Sequence, residues 1–245
     1  MEAHPSAPPA AGGNDPRRSF IQGFGLAFLA GYVDTLGFIA LFGLFTAHVT
    51  GNFILIGAAL ADPTKASVLL KFLAFPAFIA GVAAGRLLIA ACLRRQAPAL
   101  MLSLLLQLVL LAACMVCGML ASPIGETVTP YAMAAGLLGA GAMGVHSAIS
   151  RLLLANIAPT SMMTGNVTQL VIDFTDMLTG QADAGTGARC KKFLWPLLGF
   201  AVGAILAAFA YGWFGFAALA LPLLILAGLI GMERAGKPAV LKPVV

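Results

Sequence analysis

Eight apolar stretches run along the chain, at about 20–43, 44–61, 67–93, 99–121, 131–154, 158–177, 193–213 and 214–232. Six are long and clean, near or above the roughly 20 residues that carry a helix across a bilayer core. The second and sixth differ. The second holds Thr46, His48, Thr50, Gly51 and Asn52, and the sixth holds Thr160, Ser161, Thr164, Asn166, Thr168, Gln169 and Asp173. Hydrocarbon offers polar groups no partners, so neither makes a good lipid-facing helix. The pattern predicts an all-α, polytopic helical membrane protein with six long spans plus two short polar or broken helices. One membrane domain, 20–232, lies between a Pro-, Ala- and Gly-rich tail at 1–19, which reads as disordered, and a cytoplasmic tail at 233–245.

The two odd stretches resemble each other. Thr46-Ala-His-Val-Thr50-Gly51-Asn52 aligns with Thr160-Ser-Met-Met-Thr164-Gly165-Asn166, with four identities in seven. Gly31-Tyr-Val-Asp34 precedes the first copy much as Gly144-Val-His-Ser147 precedes the second. Gly81-x-x-x-Gly85 and Gly199-x-x-x-Gly203 follow them. The spacing predicts an internal duplication, with repeat one at about 20–121 and repeat two at about 131–232.

Composition narrows the class. Of 245 residues, 60% are hydrophobic and 9% charged, against about 25% charged in soluble domains, and the mean hydropathy is +0.98. Soluble enzymes and secreted disulfide scaffolds are excluded. The net charge of +5 does not imply nucleic acid, because the basic residues sit between the spans, where they set orientation. If all eight stretches cross, Arg86, Arg94, Arg95 and Arg151 fall outside. If the second and sixth dip in and return, these four move inside, Lys65 and Lys71 move outside, and basic residues divide twelve to two. The positive-inside rule favours the second arrangement, which makes the repeats inverted and puts both termini in the cytoplasm. Cys92, Cys114, Cys117 and Cys190 read as small packing residues.

Chemistry is confined to a few positions. Asp34 lies well inside the first span, where a carboxylate is costly and should face the interior or a cavity. It suits proton coupling or substrate contact, alone or with His48, or else a hydrogen-bonded structural role. Thr50-Gly51-Asn52 and Thr164-Gly165-Asn166 each offer a hydroxyl, a hinge and an amide. If the two elements enter from opposite faces and meet, their helix starts form a weakly electropositive site for a neutral or anionic solute. The alternative is that they glue helices together. His48 and His146 join the candidate substrate-binding set, although a lone intramembrane imidazole is more often a packing residue. Asp173 and Asp176 read as exposed at the end of the sixth stretch. Gly139-Ala-Gly141-Ala-Met-Gly144 matches a dinucleotide fingerprint literally, but it lies inside an apolar helix with no preceding strand and reads as close helix packing. No nucleophile with a base, metal cluster or phosphate loop is present, so neither an enzyme nor a cofactor or metal is expected.

At Gly31-Tyr-Val-Asp34 and the two Thr-Gly-Asn triplets the sequence resembles the YoaK family of bacterial inner-membrane proteins, a domain of unknown function. The resemblance covers about 20–232. It departs at His146-Ser147, where similar proteins carry Gln-Asn. It implies a multi-pass inner-membrane location and supplies no activity. The residues themselves suggest a transporter or channel-like permease for a small solute, with the lipid bilayer as surroundings and no nucleic-acid partner. Glycine-rich helix faces permit a homo-oligomer. A non-transport scaffold, lipid-binding or sensory protein is the alternative. An enzyme acting on a lipid or prenyl substrate comes third, since Asp34, Asp173 and Asp176 are too scattered to hold a metal diphosphate.

Overall fold

The computed structural model describes residues 15–61 and 67–235. Among them all regular structure is helical: α1 (Pro16–Ala40), α2 (Gly51–Ala61), α3 (Val68–Arg94), α4 (Ala99–Ala121), α5 (Pro130–Leu152), α6 (Met163–Thr179), α7 (Thr186–Phe214), a 3-10 turn (Gly215–Leu219) and α8 (Ala220–Ala235). Positions 1–14 and 236–245 of the expected tails, and Lys65, lie outside the described residues.

Local chemistry sets the ends of these helices. Asp15 accepts a hydrogen bond from the Arg17 N–H at 3.0 Å with proline at the first helical turn, so α1 begins earlier than the apolar run that starts at 20. Thr129 caps α5 in the same way, again ahead of a proline. At the far end of α1, Phe42 (φ 57°) and Gly43 (φ 72°) take left-handed conformations that stop the helix.

Five apolar helical segments are long enough to cross a membrane: Pro16–Ala40, Val68–Arg94, Ala99–Ala121, Pro130–Leu152 and Thr186–Ala235. The last is α7 and α8 folded back at the 3-10 turn. Gly199 and Gly203 of α7 meet the carbonyls of Phe24 and Phe28, so α7 runs alongside α1 in the same direction. Ile225 of α8 then touches Gly25, and Glu233 reaches Arg18 at 2.6 Å and Gln22 at 2.9 Å, so α8 runs against α1. The expected pair of clean spans at 193–213 and 214–232 is therefore a 29-residue helix and a 16-residue helix joined by a tight turn.

α1 and α5 are the inner helices. In their most apolar windows 72% and 67% of residues are buried, against 28% for α3 and α4. They are antiparallel: Gly37 of α1 and Gly139 of α5 both touch Thr46, just past the end of α1, while Gly23 near the start of α1 touches Ile157, just past the end of α5. Each is flanked by a helix that approaches through glycine. α7 packs on α1 where Gly31 faces the Phe200 carbonyl, and α3 packs on α5 where Gly144 faces the Phe78 carbonyl and Gly81 the Gly141 carbonyl. A Cβ at any of these positions would collide with backbone, which cannot move aside. The dinucleotide-like glycines are thus part of a helix contact. Outward, Leu87, Leu224, Phe209 and Ile205 are exposed, the surface expected of helices solvated by lipid.

Gly31→Leu and Gly203→Leu should each force α1 and α7 apart and cost about 1–3 kcal/mol or more of stability. Gly228→Ala, at a glycine with open space around it, should leave the thermal midpoint in detergent unchanged. A midpoint unmoved by Gly31→Leu would contradict this packing.

Candidate functional site

The second apolar stretch is not one helix. After Ala40 the chain turns at Phe42-Gly43 and folds back along α1, bringing Thr46, Ala47 and His48 beside Asp34. Only at Gly51 does α2 begin, and it is 11 residues long. α3 then starts beside the same turn, where Lys71 Nζ donates to the Phe42 carbonyl at 2.7 Å and to Ser67 Oγ at 2.6 Å.

Ten residues without helix inside an apolar bundle leave backbone groups that need partners. Asp34 supplies two. Its Oδ1 accepts from the Thr46 and Ala47 N–H groups at 2.7 Å each, the length of charge-assisted bonds. Its Oδ2 lies 2.6 Å from His48 Nδ1, a hydrogen bond between the two side chains. Asn52 supplies two more. Its Nδ2 donates to the Phe45 carbonyl at 2.8 Å, and its Oδ1 accepts from the Phe45 N–H at 2.9 Å. Asp34 and Asn52 are 4% and 1% exposed, so both side chains are spent on these bonds inside the bundle.

Beside this knot is a cavity of about 730 Å³, lined by Asp34, Thr35, Phe38, Phe45, His48, Thr50, Gly51, Ile54 and Phe200. The candidates Asp34, His48, Thr50 and Gly51 therefore line one cavity, while Asn52 holds the loop through Phe45. Sequence reasoning missed the other walls: Phe38, Phe45 and Phe200 are ordinary in an apolar run, and nothing in the spacing places Phe200 opposite His48. The start of α2 is not an open set of donors. The N–H groups of Gly51, Asn52 and Phe53 bond the carbonyls of His48, Val49 and Thr50, so the electropositive helix start expected from the sequence is absent at this triplet.

The remaining candidates lie elsewhere. His146 is fully buried, with Nδ1 3.1 Å from Gln107 Nε2 and Nε2 2.8 Å from Thr160 Oγ1. Asn166 Nδ2 donates to the Pro159 carbonyl at 2.8 Å, repeating the Asn52 bond to a carbonyl seven residues back. Proline has no N–H, so the second bond is missing there. Thr164 and Gly165 are exposed on α6. α2 rests on α3 and α6 on α7, and among the described residues the two short helices do not touch. The two Thr-Gly-Asn triplets thus do not meet in one hollow.

Asp173, expected to be exposed, is 1% exposed. Its Oδ1 accepts from Gln169 Nε2 at 3.0 Å and from Arg189 Nε at 3.2 Å. Arg189 also bonds Asp183 at 3.0 Å. That side-chain bond, followed by the Gly185 N–H, holds the Asp183 carboxyl below its ordinary range. Among the described residues no three His, Cys, Asp or Glu side chains stand together as metal ligands.

Comparison with known proteins agrees with this architecture. The family described as "Protein of unknown function (DUF1275)" matches residues 22–232. The chain belongs to this family. It is also 36% identical over 64 residues to "UPF0700 transmembrane protein YoaK" of Bacillus subtilis (strain 168), a stretch covering 26% of this chain and 28% of that protein. The chain thus spans just over a quarter of the length of the curated relative it matches. No solved structure matches. The helical fold, its lipid-facing apolar surface and the family together make this a membrane protein.

Asn52→Ala should lower stability by about 1–3 kcal/mol, because it leaves both polar groups of Phe45 unpaired. Asn166→Ala, which removes a single backbone bond, should cost less. Thermal midpoints of the two variants in detergent check this order, and an equal or reversed loss would contradict it.

Proposed function

We propose that this protein is a small-solute transporter or channel-like permease of the bacterial inner membrane, built from two inverted repeats, with the Asp34–His48 cavity as its solute site. One observation carries the reading. A 730 Å³ cavity opens where a helix is broken inside an apolar bundle, and its lining includes a buried carboxylate hydrogen-bonded to a half-exposed histidine. Broken helices and intramembrane ionisable groups mark solute pathways in transport proteins.

The repeat reading draws support from matched contacts. Gly31 faces the Phe200 carbonyl as Gly144 faces the Phe78 carbonyl, and Gly203 faces the Phe28 carbonyl as Gly81 faces the Gly141 carbonyl. The partners differ by 113 positions in α1 and α5 and by 122 in α3 and α7. That register pairs Gly81 with Gly203, one helical turn away from the pairing with Gly199 that motif spacing suggests. The antiparallel course of α1 and α5 favours inversion. A short α2 that starts beside Asp34, with α3 starting again beside Phe42, favours a re-entrant element over a full crossing. Six crossings follow, α1, α3, α4, α5, α7 and α8. The Arg18–Glu233 pair then joins the two ends of the domain on one side, and the basic loops make that side cytoplasmic.

A second reading keeps the protein as a non-transport scaffold, lipid-binding or sensory module. It is favoured by the separation of the two triplets and by amides turned wholly to the backbone, which is what helix glue requires.

Flux separates the two. In proteoliposomes the protein should move at least one of radiolabelled glycerol, alanine, acetate or choline. Asp34→Asn and His48→Ala should each cut that flux by about ten-fold or more, the loss expected from one charge-assisted contact, with the thermal midpoint within a few degrees of the parent. No flux for any of the four, or unchanged flux in both variants, would leave the scaffold reading.

A further inference from the structure

The Asp34–His48 cavity is unusual in its walls. Phe38 and Phe45 stand with ring centroids 4.8 Å apart, Phe45 and His48 6.3 Å apart edge-on, and His48 and Phe200 5.6 Å apart edge-on. The four rings thus pack in succession along the wall of a cavity that Asp34 also lines. Aromatic faces carry negative quadrupole charge, and a cation within about 6 Å of several rings is attracted to each.

Charge selects among solutes. Among the described residues no Lys or Arg lines the cavity. The first N–H groups of α2 are spent on the carbonyls of His48, Val49 and Thr50, so an anion would find neither a positive side chain nor a free helix start. Among the described residues, Asp34 and His48 are the titratable side chains of the lining. α7 contributes Phe200, and α2 contributes Gly51 and Ile54, all uncharged. The Asp34 carboxyl, hydrogen-bonded to His48, is the acidic group that an incoming cation meets. A bare metal ion fits poorly, because it needs several oxygen ligands and Asp34 Oδ1 already serves two backbone N–H groups. An organic cation, whose charge is spread beneath methyl or methylene groups, loses little hydration on entry and gains the ring faces.

We propose that the solute taken by this cavity is a compact organic monocation, an amine or quaternary ammonium, held against the wall of Phe38, Phe45, His48 and Phe200 rings beside Asp34. The assignment rests on the transport reading only in calling the occupant a solute. The aromatic wall and the carboxyl beside it stand on the geometry alone.

Choline and its uncharged isostere 3,3-dimethylbutan-1-ol test it, with the full chain in nanodiscs of phosphatidylglycerol so that no ammonium-bearing lipid headgroup competes. Titration calorimetry should show choline binding about ten-fold tighter than the alcohol or better. Phe200→Leu, which keeps the α1–α7 glycine contact and removes none of the hydrogen bonds of Asp34, should weaken choline roughly three- to thirty-fold and the alcohol by no more than about two-fold. Phe38→Leu should do the same. Equal affinities for the two probes, no choline binding at millimolar concentration, or equal losses in the variants would overturn the proposal. Weaker choline binding once phosphatidylethanolamine is added to the nanodiscs would assign the aromatic wall to a lipid headgroup and overturn it as a free-solute site. Unchanged affinity supports it. Choline that binds selectively but is not moved in proteoliposomes would keep the cation site and remove transport. Flux of glycerol or acetate without choline binding would keep transport and remove the cation site.

Discussion

A carboxylate that accepts two backbone N–H bonds inside an apolar bundle is the constraint on which the first half of this molecule depends. Segment 41–50 lies outside any helix or strand, bonds at its two ends occupy only part of its peptide groups, and each one left bare in hydrocarbon costs several kcal/mol. Asp34 takes the N–H groups of Thr46 and Ala47, Asn52 takes both polar groups of Phe45, and Lys71 takes the Phe42 carbonyl. Three polar side chains from α1, α2 and α3 thereby replace the hydrogen bonds that a continuous helix would have made. The carboxylate in turn is made tolerable by those donors and by His48. Breaking the helix and burying the acid are one structural decision.

The cavity follows from that decision. Because the loop folds back along α1, α2 starts beside Asp34 and leaves room between Ile54, Phe38 and Phe200 on α7. α7 can stand close because Gly31, Gly199 and Gly203 let its backbone approach α1 directly. The second loop lacks these parts. Histidine replaces the carboxylate as the buried polar group, its two ring nitrogens are occupied by Gln107 and Thr160, and Pro159 offers Asn166 a carbonyl but no N–H. One scaffold therefore carries an acid-bearing loop beside an open cavity on one flank and, on the other, a loop whose buried polar group is the His146 imidazole. The departure at His146-Ser147 falls at the residue that makes this difference.

Much of this was legible in the sequence. Helical class, the membrane setting and the two interrupted stretches follow from apolar runs punctuated by Thr, His, Gly and Asn, since such residues are rare where lipid is the solvent. The break after Ala40 was not legible, because Leu41, Phe42, Leu44 and Phe45 continue the apolar pattern, and hydropathy does not tell a buried loop from a helix. Nor does spacing reveal that the partners of Asp34 are peptide N–H groups 12 and 13 positions on, since any residue type would supply them. Asp173 was misread as exposed because its counter-charge, Arg189, lies across a turn that the chain pattern shows only as polar. The expected meeting of the two Thr-Gly-Asn triplets failed for a geometric reason: each short helix packs on the long helix that follows it, α3 or α7, and not on its counterpart.

Hydrogen–deuterium exchange at the amides of Thr46 and Ala47, in nanodiscs, reads the central interaction directly. Anchored by Asp34, both should exchange about as slowly as amides in the middle of α1, and Asp34→Ala should release both while leaving α5 and α7 protected. Fast exchange in the unaltered protein, or protection that survives Asp34→Ala, would mean that the carboxylate does not hold the loop.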